Sequence, residues 1–260
     1  MPVFGPVESA LRARREAGHK LLVPYVTGGL GDWMAVVEAV AAAGADAVEI
    51  GIPFSDPVMD GPVIQEASQR ALAAGTTPAS ILADLGRIDA GVPLVVMTYY
   101  NTVFRAGHRR FARSLVERGV SGAIVPDLPL IELDGWGEAA DDAGVETILL
   151  TAPNTPDDAL AAICARSRGW IYGVAVMGVT GERSSLAATA GALGKRLKAA
   201  TDKPVLLGVG VSTPQQAAEA CADADGVIVG SALVRRLLEG AGPDGAAAFV
   251  NELQKGLQNR

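Results

Sequence analysis

Ala43-Gly44-Ala45-Asp46-Ala47-Val48-Glu49-Ile50-Gly51-Ile52-Pro53-Phe54-Ser55-Asp56-Pro57-Val58-Met59-Asp60-Gly61-Pro62 holds one complete structural unit of this 260-residue chain. Gly44 supplies the left-handed residue that closes a helix, and residues 47–50 form a short apolar run with strand character. The following stretch, rich in Pro, Ser, Asp and Gly, can continue neither strand nor helix, and Pro62 suits the first turn of the next helix. A lone carboxylate, Glu49, sits inside the apolar run. Burying it as an anion is costly, so the chain must pair it or use its altered proton affinity.

Outward from this unit the same pattern recurs, giving eight β-rich runs at 21–27, 47–50, 93–98, 122–125, 146–150, 170–175, 204–208 and 226–229. Helical periodicity follows the runs, and junctions such as Ala90-Gly91-Val92-Pro93, Arg118-Gly119-Val120-Ser121 and Ala143-Gly144-Val145-Glu146 return the chain to the next run. Near-continuous apolar strands alternating with helices imply a parallel sheet buried on both faces. Eight such units match a single (β/α)8 TIM barrel, an α/β domain spanning residues 1–260, better than an open doubly wound sheet. An additional N-terminal helix over 7–17 would close the barrel floor, and 245–257 would form the last outer helix.

Composition agrees with a large core, since 49% of side chains are hydrophobic. The net charge of −7 and scattered basic residues argue against nucleic acid as a partner. No apolar stretch is long enough to span a membrane and the N-terminus does not read as a signal peptide, so a soluble cytoplasmic protein is expected. Cys164 and Cys221 lie in Ala-rich helical stretches and read as buried thiols in a reducing compartment.

In such barrels chemistry gathers on loops at the C-terminal ends of strands. Glu49 is at the end of the second strand, Asp60 in the loop after it, Tyr100 and Asn101 after the third, Asp127 after the fourth, and Tyr172 within the sixth. Glycine-rich turns follow the last three strands: Gly178-Val179-Thr180-Gly181, Gly208-Val209-Gly210 and Gly230-Ser231-Ala232. Their N–H groups, with a helix opening at Gly230-Ser231, suit a phosphorylated ligand without a cluster of cations. Plainer readings stand beside these. Glu49 could be an ion-paired barrel residue, Asp60 a helix cap, Asp56 a turn or interface residue, and Asp127 a brace for its loop. His108 reads as part of a solvated helix start. No lysine falls at the barrel mouth, which disfavours an imine mechanism, and no cluster has metal-ligand spacing.

Pro24-Tyr25-Val26-Thr27, the run from Val48 to Pro57 with Asp60-Gly61-Pro62, Met97-Thr98-Tyr99-Tyr100-Asn101, Pro126-Asp127-Leu128-Pro129, Gly178-Val179-Thr180-Gly181 and Val229-Gly230-Ser231-Ala232 together resemble the tryptophan synthase alpha subunit over nearly the whole chain. The resemblance implies a lyase that cleaves indole-3-glycerol phosphate to indole and glyceraldehyde 3-phosphate. It also implies a beta subunit in an alpha2beta2 complex, which takes up the indole and carries the pyridoxal phosphate (PLP), leaving this chain without a cofactor. By residue, it makes Glu49 the general acid/base and Asp60 the partner of the ring N–H. Tyr172 and Thr180 become catalytic support and lid, and Tyr25, Ile64 and Thr102 the indole pocket. Gly181, Gly210, Gly230 and Ser231 become the phosphate cradle, and Asp56 part of the loop that meets the beta subunit. A stand-alone indole-releasing lyase and a non-catalytic phosphate-binding barrel remain as alternatives.

Overall fold

The structure, a computed structural model, describes residues 4–174 and 183–258. Helix α1 (Pro6–Glu16) precedes strand β1 (Leu21–Thr27), α2 (Trp33–Ala42) and β2 (Val48–Gly51). Two helices, α3 (Pro62–Ala73) and α4 (Pro78–Leu85), lead to β3 (Leu94–Met97), and two more, α5 (Tyr100–Ala106) and α6 (His108–Val116), to β4 (Val120–Ile124). Then come α7 (Asp134–Ala143), β5 (Glu146–Thr151), α8 (Asp157–Arg166), β6 (Ile171–Val174) and α9 (Arg183–Ala200). The chain finishes with β7 (Val205–Gly208), α10 (Pro214–Ala220), β8 (Gly226–Val229), α11 (Ser231–Leu238) and α12 (Gly242–Gln258). The eight strands pair in parallel, in chain order, and β1 pairs with β8, closing the barrel.

Alternation along each strand explains the unbroken apolar runs. In β1, Leu21, Val23 and Tyr25 face inward while Leu22 and Val26 pack against the outer helices. The interior layers are filled by Leu21, Val23, Ala47, Val95, Ile124, Ile148, Trp170, Leu206 and Ile228, with Val7 and Leu11 of α1 packed beneath them. Helix α1 thus closes the floor, as its amphipathic pattern suggested.

Carboxylates tie that floor together. Glu146, at the start of β5 and fully buried, accepts the N–H groups of Val7 (2.6 Å) and Glu8 (3.0 Å) at the N-terminus of α1. Asp46 accepts the Leu22 N–H and an Arg14 contact, while Asp225 accepts the Val205 N–H and contacts from Lys198 and Arg15. Hydrogen bonds to ionised acceptors are the stronger kind, so these bridges hold α1 and the strand starts in register.

Most departures from the sequence reading are local. Strand β4 begins two residues before the expected 122, because Leu94 pairs with Val120 across an irregularity before Val95 pairs with Gly122. The helical region after β3 is split at Gly107, whose φ of 83° no other residue type adopts readily. His108 is not merely solvated, since its ring is half-buried, shares a 3.0 Å hydrogen bond with the Tyr100 hydroxyl and lies edge-on to Trp136. Cys164 and Cys221 are buried and form no disulfide. Among the described residues no helix is long and apolar enough to cross a membrane.

Candidate active site

Above the filled layers, at the C-terminal ends of the strands, the barrel opens into a cavity of about 210 Å³. Strand parity decides what enters it. Glu49 pairs in register with Tyr25 on one side and Val95 on the other, one inward position above Ala47, so its carboxyl is directed into the barrel axis. It is only 1% exposed, and its Oε2 has no hydrogen-bond partner among the described residues. Burial, and secondarily the charge of Asp60, push its pKa up to about 8. No cation pairs with it among the described residues, which leaves a carboxylic acid that holds a proton near neutrality.

Asp60 reaches the same cavity from the loop between β2 and α3. It does not cap α3: the N-cap is Gly61, without a side-chain cap bond, and Asp60 contributes its main-chain carbonyl, which accepts from Gln65 Nε2 at 2.8 Å. Burial raises its carboxyl pKa, opposed by the Tyr99 hydroxyl beside it. Two inward tyrosines flank Glu49. Both phenols are raised by burial and by the neighbouring carboxyls, so both stay protonated. The ring of Tyr172 fits because Gly208 lies beside it on β7; a Cβ at 208 would approach Tyr172 Cε2 to 2.7 Å. No hydrogen bond joins Tyr172 to Glu49 here, so its contact with the acid is one of proximity within the cavity.

Of the residues singled out in the sequence, Glu49, Asp60, Tyr172, Tyr25, Ile64, Gly210, Gly230 and Ser231 all line this cavity. Gly210 has φ 71°, and Gly230 is the N-cap of α11 with no side-chain cap, so the unpaired N–H groups of that helix's first turn remain available to an anion. No lysine or arginine lines the cavity among the described residues. Thr180 and Gly181 lie outside the described residues.

Thr102 does not join the others. Helix α5 begins at Tyr100, and its turn carries Thr102 away from the mouth into a separate groove with Pro53, Phe54, Leu82 and Asn101. Asp56 is exposed on the loop, accepting a hydrogen bond from its neighbour Ser55. Asp127 braces: its Oδ1 accepts the Tyr100 N–H at 2.8 Å, fixing the start of α5 to the loop after β4. Pro126, Val174, Met59, Met97, Ile124, Leu150 and Ile228 complete the walls, and the last four are inward-facing residues near strand ends that strand parity could have identified. Among the described residues no three His, Cys, Asp or Glu side chains gather in a metal-holding group.

The cavity therefore joins a buried acid that holds its proton near neutrality, a second carboxylate with a phenol beside it, apolar walls and an amide-rich rim. Such a set can move a proton on and off an aromatic ring whose anionic tail is gripped by main-chain N–H groups.

Residues 11–259 match the family model described as Tryptophan synthase alpha chain. The tryptophan synthase alpha chain of Thermobifida fusca is 43% identical over 259 residues, covering 95% of this chain and 96% of the relative, and that of Streptomyces coelicolor is 43% identical over 263 residues, covering 98% and 97%. A chain of Mycobacterium tuberculosis tryptophan synthase superposes with a TM-score of 0.91 at 38% identity, covering 99% of this chain and 100% of that one.

Proposed function

The chain belongs to the tryptophan synthase alpha chain family, and we propose that its Glu49 and Asp60 carry out the alpha reaction, the retro-aldol cleavage of indole-3-glycerol phosphate to indole and glyceraldehyde 3-phosphate. Glu49, protonated at the start, delivers its proton to C3 of the indole ring. Positive charge then develops at the ring nitrogen, whose N–H is held by the Asp60 carboxylate. The Glu49 carboxylate next takes the proton of the hydroxyl on the carbon attached to C3. The bond between that carbon and C3 breaks, its electron pair returns to the ring to restore neutral indole, and the aldehyde departs with Glu49 again protonated. The protonated ring serves as the electron sink, so neither a lysine imine nor a metal is called for in these steps.

The observation that carries this reading is that Glu49 and Asp60 share one cavity, with Glu49 buried and, among the described residues, without an ion-pair partner. Tyr25 and Ile64 frame the slot for the indole ring, Tyr172 supports Glu49, and Gly210, Gly230 and Ser231 hold the phosphate. Thr180 and Gly181 would complete the lid and cradle by resemblance to the family, and Thr102 has no part in the indole pocket. The family's pyridoxal phosphate belongs to the beta subunit. We propose that the chain works as a single domain in the cytoplasm, in an alpha2beta2 assembly that Asp56 and its loop help to form. Assay of the purified chain on indole-3-glycerol phosphate, with and without a beta subunit, tests the reading together with Glu49→Gln. Loss of general acid/base catalysis should slow that variant by at least about 10²-fold. Near-normal turnover by Glu49→Gln would remove Glu49 from the chemistry.

A further inference from the structure

Tyr99 was noticed in the sequence only as part of a motif, and it does not line the cavity. Yet it is 2% exposed, and its hydroxyl sits behind the loop that carries Asp60. Three contacts fix it there. The Met59 N–H donates to the Tyr99 hydroxyl at 2.9 Å. The same hydroxyl lies beside the Asp60 carboxyl, whose proton affinity it lowers. The ring stacks on Phe54, near the other end of the loop, with centroids 5.1 Å apart and planes at 24°.

Hydrogen accounting assigns the roles. A phenol has one proton, and its oxygen already accepts from Met59, so that proton is the one available to Asp60. Burial pushes the Tyr99 pKa up to about 12, which keeps the proton in place across the working range. Tyr99 is in turn the N-cap of α5, whose first N–H, that of Tyr100, is held by Asp127 from the loop after β4. The hydroxyl therefore rests on a framework anchored by two different strands.

We propose that Tyr99 is a positioning residue for the alpha reaction: by donating to the Asp60 carboxyl from behind while clasping Met59, it aims the other carboxyl oxygen at the ring nitrogen of the substrate. This rests on Asp60 receiving the ring N–H, as proposed above. A carboxylate on a loop would otherwise be free to rotate, and the alignment needed at the moment charge develops on the ring would have to be found in each turnover.

Tyr99→Phe keeps the ring, its burial and its stacking on Phe54, and removes only the hydroxyl. The expected result is a fall in kcat of about 10-fold with KM changed by less than about 2-fold, the pattern of an interaction realised in the transition state. Because the hydroxyl lowers the Asp60 pKa, its loss should also move the acidic limb of the kcat profile to higher pH. Asp60→Asn and the double variant complete a cycle. If Tyr99 acts through Asp60, Tyr99→Phe adds less than about 2-fold in the Asp60→Asn background. Multiplying losses, an unmoved pH profile or normal turnover of Tyr99→Phe would each overturn the assignment. Normal turnover of Asp60→Asn, measured in the same series, would instead overturn the underlying reading of Asp60.

Discussion

Glu49 owes its chemistry to an unusual balance: the strand pattern forces it inward, while the described residues around it offer neither a cation nor a partner for Oε2. With its pKa near 8, the acid form needed to protonate the ring dominates at neutral pH, and kcat should decline as pH rises through about 8. A profile flat from neutrality well into the alkaline range would contradict this. The same shift has a stability consequence. The folded chain keeps a proton on Glu49 that the unfolded chain releases near the ordinary value of 4.5, so stability is lost as pH rises from about 4.5 to about 8. Glu49→Gln has no such proton to lose, and its stability relative to the parent should increase across that window, as urea midpoints at the two ends would reveal. Glu49 was legible in the sequence because a single carboxylate among aliphatic residues stands out. Tyr99 was not, because its role depends on contacts with Met59, Asp60 and Phe54, some forty positions earlier in the chain, that only the fold brings together.

At the scale of elements, the two strands whose expected limits match the structure, β1 and β8, are buried along their whole length, so their apolar runs stop where the strands stop. Strand β4 was harder to delimit, since Ser121 interrupts the run and the pairing shifts beside it. Thr102 was misplaced for a related reason: sequence proximity to the strand end says nothing about which way the first turn of α5 rotates its side chains. Two substitutions test the element packing. Gly208→Ala places a Cβ against Tyr172 and should drive that ring into the cavity. Overpacking of this kind costs about 1–3 kcal/mol, and here it should also raise KM. At the opposite end, Glu146→Gln leaves one of the two α1 N–H groups facing an amide donor instead of a carboxylate. A loss of about 1–3 kcal/mol in denaturant unfolding is expected, with kcat little changed, because the floor lies across the filled barrel from the chemistry. A large fall in kcat without loss of stability would mean that α1 communicates with the mouth.

The whole molecule separates these tasks by end, with ion-paired carboxylates beneath and the reactive cavity above. Exposed apolar side chains gather on the loops and helices that follow β2, β3 and β4: Val58 at 80%, Phe104 at 63% and Ile131 at 85% exposure. Apolar groups left in water on one side of a stable barrel suit a partner surface. Phe104→Asp should therefore weaken association with a beta subunit by at least about 10-fold, read by sedimentation, while the isolated chain unfolds as before; unchanged association would place the interface elsewhere. The absence of lysine and arginine from the described rim carries its own consequence. A protein of net charge −7 must draw in a doubly charged phosphate ester against long-range repulsion, and the cradle proposed above would hold it with neutral N–H groups. Added salt screens that repulsion and displaces no counter-charge from the described rim, so substrate capture should quicken as ionic strength rises, the reverse of what a lysine-lined pocket would do.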